Sequence, residues 1–115
     1  AAGRLDDAVR GLRELIRINE RAFDLHQMLG EAYSRQGRLP DALGEFEMAA
    51  LLNPSAPAPQ LSAAEVLLAM NRVADARTRW TAARALAPAS FDVALVDGLI
   101  LEAERRPQDA AAAYR

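Results

Sequence analysis

Neither lysine nor cysteine occurs among the 115 residues, and aromatic side chains make up only 5% of them. Without cysteine there can be no disulfide and no thiolate metal site, and thiols give no reading of the redox compartment. The shortage of aromatic and β-branched residues argues against a sheet. No apolar run approaches the ~20 residues needed to span a bilayer, and the opening AAGRLDDAVR has no apolar signal core. Basic charge is not in excess either. The 14 basic residues, all arginine, face 16 acids for a net charge of −2, which offers no general attraction to nucleic acid or anionic lipid. The compartment stays open between bacterial cytoplasm and periplasm. "Bacterial" rests on the arginine-only, alanine-rich composition typical of GC-rich genomes.

What the chain does have is alanine and a period. Alanine is the strongest helix former and lets helices pack closely. Set against itself at a step of 34, the chain brings GRLDDA (from Gly3) over GRLPDA (from Gly37), then NRVADA (from Asn71) and RRPQDA (from Arg105). The same step aligns small Ala8, Ala42, Ala76 and Ala110, bulky Leu12, Phe46, Trp80 and Tyr114, and acidic Asp7, Asp41, Asp75 and Asp109. The alanines are expected where two antiparallel helices approach, and the bulky residues fill the gap to the next hairpin. The aspartates are expected in helix first turns, beside unpaired N–H groups and the positive dipole end.

Apolar residues at three- and four-residue spacing, with Gly37, Asn53-Pro54 and Ala87-Pro88 as punctuation, predict helices near 5–18, 23–36, 39–52, 58–70, 73–86, 91–104 and 107–115. Pro40 and Pro107 suit first turns, and Pro57 with Pro59 is expected to delay the fourth helix.

Leu29, Gly30, Tyr33, Ala42, Phe46, Ala49 and Pro54 stand at the spacing of the tetratricopeptide repeat, and on these residues the chain resembles that family. The resemblance extends through Ala76, Trp80, Ala83 and Pro88 and on to Gly98, Ala110 and Tyr114. His26 departs from it by standing where the family usually has a large apolar residue, and Ala63, Ala64 and Leu67 depart from the usual Leu-Gly and Tyr. The resemblance implies an all-α, right-handed superhelical solenoid of antiparallel helical hairpins. It divides residues 1–115, a single domain, into a half unit at 1–22, full units at 23–56 and 57–90, and an incomplete unit at 91–115. The unfinished pattern at Tyr114-Arg115 and the missing initial methionine are read as a section of a longer protein.

Catalysis needs a base held near a nucleophile or metal, and this chain has one histidine and no cysteine. His26 is expected as a structural residue, Trp80 as core, and the aspartate column as helix-start carboxylates rather than metal ligands. Arg77, Arg79 and Arg84 are expected on a solvated outer face. No cofactor, metal or catalytic residue is assigned. The stretches 23–36, 57–70 and 91–104 hold seven acids and one arginine, net −6, whereas the remainder holds nine acids and 13 arginines, net +4.

The resemblance places those acidic helices on an inner surface. It implies a partner-binding groove of Asp24, Gln27, Glu31, Arg35, Leu61, Glu65, Leu68, Asp92, Leu95, Leu99 and Glu102. Some relatives grip a partner's terminal carboxylates with inward cations. Here the matching positions are Gln27, Glu31, Ser62, Asp92 and Val96, so no such clamp is present. The expected role is therefore a protein–protein interaction scaffold for a basic or amphipathic peptide or protein segment, with no nucleic acid and no membrane insertion. The alternatives are a repeat domain of a larger enzyme, for example a glycosyltransferase with its catalytic part elsewhere, and self-association through the chain's ends.

Overall fold

A computed structural model describes the backbone of residues 2–113 and the side chains of residues 3–105. Among these residues there are six helices and no strand: α1 (Ala2–Ile18), α2 (Phe23–Arg35), α3 (Leu39–Leu52), α4 (Pro57–Ala69), α5 (Val73–Leu86) and α6 (Phe91–Ala113). Sequential helices pack on one another, and α4 also meets α6. The stack is elongated, 54 × 33 × 19 Å.

The tight turns repeat atom for atom. Gly37 and Asn71, one repeat apart, both take positive φ, 77° and 61°. Around the first, Gly37 N–H bonds Ser34 O at 3.0 Å and Arg38 N–H bonds Tyr33 O at 2.9 Å. Around the second, Asn71 N–H bonds Leu68 O at 2.9 Å and Arg72 N–H bonds Leu67 O at 2.8 Å. This is the Schellman closure, which satisfies the last carbonyls of a helix and requires a residue that tolerates the left-handed region.

Arg105 holds the third position of that column. A Cβ in the left-handed region costs about 1–2 kcal/mol, and here the helix does not turn. α6 runs unbroken to Ala113, so the expected break between 104 and 107 is replaced by one helix, with Pro107 inside it.

Pro57 opens α4 instead of delaying it, because a first-turn residue has no intrahelical use for its N–H. Asp41 and Asp75 do lie in first turns, ion-paired to Arg38 and Arg72. Asp7 does not, since α1 begins at Ala2. The fourth column members Asp109, Ala110 and Tyr114 lie outside the residues with described side chains.

The core forms two clusters that share α4. Val9, Leu29, Ala32, Tyr33, Ala42 and Phe46 join Ala63 and Val66 in the first. Leu61, Ala64 and Leu67 join Ala76, Trp80, Ala83, Val93, Val96 and Ile100 in the second. A helix clasped on both sides must be apolar nearly all round, as α4 is. The column alanines Ala42, Ala49, Ala76 and Ala83 are wholly buried, where helices cross closely.

Candidate functional site

The helices α2, α4 and α6 lie side by side. Gln27 of α2 donates through Nε2 to Ser62 Oγ of α4 at 2.9 Å. Two depressions open along this surface. The first is lined by Glu31, Ser34 and Arg35 of α2 and by Ser62, Glu65 and Ala69 of α4, with Leu39, Phe46 and Val66 also contributing. The second is lined by Glu65, Leu68 and Ala69 of α4 and by Leu99, Glu102 and Ala103 of α6. Glu65 and Ala69 line both, so the two depressions adjoin at α4 and together form a groove surface across three helices.

Its charge is predominantly acidic and its floor partly apolar. Partial burial pushes the Glu65 carboxyl above the usual carboxylate range, and the negative charge of Asp92 adds to the push. Ionising Glu65 is therefore disfavoured, chiefly by burial and secondarily by Asp92.

Of the expected groove residues, Glu31, Arg35, Glu65, Leu68, Leu99 and Glu102 line this groove, and Asp92 acts on it through its charge. Gln27 is half-buried and engaged with Ser62. Asp24 and Leu95 are exposed and line neither depression. Leu61 is a correction. It is only 7% exposed, packed in the second cluster with Val93 and Val96 of α6, and offers no groove surface.

Ser34, Ala69 and Ala103 were not anticipated, although the repeat held the signal. One step from Arg35 leads to Ala69 and a second to Ala103, and one step back from Leu68 leads to Ser34.

The opposite surface is organised by arginines. Arg77 of α5 donates to Asp97 at 2.7 Å and to Glu104 at 2.8 Å, both on α6. These bonds, to Glu104 first and Asp97 second, hold its guanidinium above the usual arginine range. Arg79 pairs with Glu47 of α3. Arg77 and Arg84 each stack 5.0 Å from the Trp80 ring centre. The expectation of a merely solvated arginine face is corrected at Arg77 and Arg79, which tie helices together.

Trp80 is core, and its indole N–H donates to Val93 O at 2.7 Å. His26 is buried, with Nδ1 2.8 Å from Glu45 Oε1 and Nε2 2.9 Å from Glu20 O, so both ring nitrogens are engaged in structure. Among the described residues no group of three or more histidine or acidic side chains could hold a metal ion, and no helix is long and apolar enough to cross a membrane.

Comparison with known proteins agrees with this geometry. The sequence profile of the tetratricopeptide repeat matches residues 1–59 and 61–115. Among solved structures, the chain is similar to the first tetratricopeptide domain of Spaghetti (RPAP3) bound to an HSP90 peptide, with a TM-score of 0.81 at 19% identity, covering 89% of this chain and 81% of that one. It is similar to PcrH in complex with the chaperone-binding region of PopD, with a TM-score of 0.81 at 24% identity, covering 92% and 83%. It is also similar to a thermophilic tetratricopeptide protein of Thermus thermophilus, with a TM-score of 0.80 at 27% identity, covering 87% of this chain and 51% of that one. A search of curated proteins finds no match. With a period of 34 residues, paired Schellman turns and a family profile spanning nearly every residue, the chain belongs to the tetratricopeptide repeat family.

Proposed function

We propose that the chain is a protein-interaction scaffold whose α2–α4–α6 groove receives a basic, amphipathic segment of a partner protein. The observation that carries this reading is the pair of adjoining depressions across α2, α4 and α6. Glu31, Glu65 and Glu102 flank apolar Leu68, Ala69, Leu99 and Ala103 across three helices. A cationic, apolar-faced segment matches that surface. Its charges are steered by the acids, and its apolar side chains supply much of the affinity. The groove draws on the units read at 23–56 and 57–90 and on α6 of the unit that follows.

Two of the similar structures are complexes, one with an HSP90 peptide and one with a region of PopD. The HSP90 peptide, SRMEEVD, has an acidic C-terminal half. The glutamates here disfavour a ligand of that kind, so the shared fold is turned toward the opposite charge.

The test uses a fluorescein-labelled helical peptide with leucines on one face and arginines on the other. Replacing Glu31, Glu65 and Asp92 together by lysine is expected to weaken binding by roughly 3- to 100-fold, at ~0.2–1 kcal/mol per exposed charge. Affinity should also fall with added salt. Undiminished affinity in a variant of unchanged helicity would place the peptide outside the α2–α4–α6 groove.

A further inference from the structure

Ala69 stands where the two depressions meet, in a place that an arginine holds one repeat earlier. Arg35 follows Glu31 by four residues in α2, and Ala69 follows Glu65 by four in α4. An acid and a base at this spacing share one helix face and form a favourable pair. α4 thus keeps the acid and lacks the base. Ala69 is exposed, so the room that a longer side chain would take lies open to both depressions. α4 packs against α3 and α5 and also meets α6, which puts this junction inside the stack and not at an end of it.

The carboxyl end of a helix is the negative pole of its dipole and favours a cation within the last turn. α1, α2 and α5 each place an arginine there, Arg17, Arg35 and Arg84, whereas α4 has no basic residue in its last turn. Arg72, just beyond, is held by Asp75 at 2.8 Å. The acids of α3 and α5 all have partners: Asp41 with Arg38, Glu45 with His26, Glu47 with Arg79 and Asp75 with Arg72. Among the described residues Glu65 has no ion pair, although Arg35 lines the first depression with it.

Resting on the reading of this groove as the ligand site, we propose that an arginine of the partner segment seats beside Ala69. There it supplies Glu65 and the end of α4 with the cation that Arg35 supplies to α2. The two halves of the side chain suit the two halves of the seat. Its apolar stem lies along Leu68 and Leu99 of the second depression, and its guanidinium meets the Glu65 carboxylate at the junction. Ala69 is then a position that sets specificity, because a longer residue there closes the seat.

Fluorescence anisotropy tests this with the labelled leucine–arginine peptide and a version in which every arginine is citrulline, which keeps the shape and removes the charge. The original chain is expected to prefer the arginine peptide. Ala69→Arg fills the seat from within and should cut that preference on the order of tenfold, the size of a cation's effect at a partly buried helix end. Ala103→Arg adds the same charge one repeat further on, away from Glu65's own turn, and should cut it by about twofold at most. Both positions accept arginine on a helix surface, so circular dichroism should report an unchanged fold. An undiminished preference in Ala69→Arg, or equal losses in the two variants, would overturn the seat and leave the groove as the binding surface. An original chain that binds both peptides equally, or neither, would overturn the acidic-groove reading and the seat with it.

Discussion

The ring of Phe46 fills the space that a side chain on Gly30 would occupy: a Cβ there would stand 2.6 Å from Cε1 and 2.7 Å from Cδ1 of the ring. Phe46 is itself buried, at the edge of the first depression, so an added methyl group must displace a packed ring. The absence of one methyl group thereby sets the spacing of α2 and α3.

Gly30→Ala is expected to destabilise the protein, against the general trend. Alanine for glycine inside a helix normally gains about 0.5–1 kcal/mol. Overpacking a close contact costs about 1–3 kcal/mol and should prevail. Gly44→Ala is the matched control, because nothing lies within 4 Å of its Cβ position, and it should stabilise by the ordinary gain. Urea unfolding of both variants checks the pair. Equal effects would mean that α2 and α3 do not approach at Gly30.

His26→Ala is expected to cost about 1–3 kcal/mol, the usual penalty for leaving buried hydrogen-bonding groups without partners. The ring joins the turn before α2, through Glu20 O, to Glu45 on α3. Thermal melting should show the loss, while binding of the leucine–arginine peptide at unchanged temperature should not move. Reduced peptide affinity in a folded variant would give His26 a role in the site.

These two contacts differ in how far the sequence revealed them. Gly30, Phe46 and the turn residues Gly37 and Asn71 recur at a fixed step because backbone geometry and close packing restrict them to few residue types. Their places were therefore legible. Leu61 is not legible in this way, because its burial depends on Val93 and Val96 in the following hairpin, and periodicity gives a direction but not a depth. The Arg77 pairs join residues 20 and 27 positions apart, and no local pattern announces such a bond. The turn expected after residue 104 followed the repeat, yet Arg105 lacks the conformational freedom of its column-mates.

Glu65→Gln is expected to change the pH dependence of stability. The folded carboxyl titrates above its ordinary value, chiefly through burial and then through Asp92. Ionising it therefore disfavours the folded state at pH values above its folded pKa. As pH falls through that value toward the unfolded pKa of ~4.3, protonation relieves the penalty, and stability from this group rises. The glutamine variant should be more stable than the original chain at neutral pH, and the advantage should vanish below the unfolded value. A constant advantage at all pH values would mean that Glu65 is not strained by its charge.

The most direct measurement of the scaffold reading is a nuclear magnetic resonance titration of the isotopically labelled chain with the leucine–arginine peptide, using its leucine–glutamate counterpart as control. Shifts are expected at Glu31, Glu65, Leu68, Leu99 and Glu102, to weaken with salt, and to be absent with the acidic peptide. Shifts confined to Arg10, Arg13, Arg17 and Arg38, or a stronger response to the acidic peptide, would contradict it.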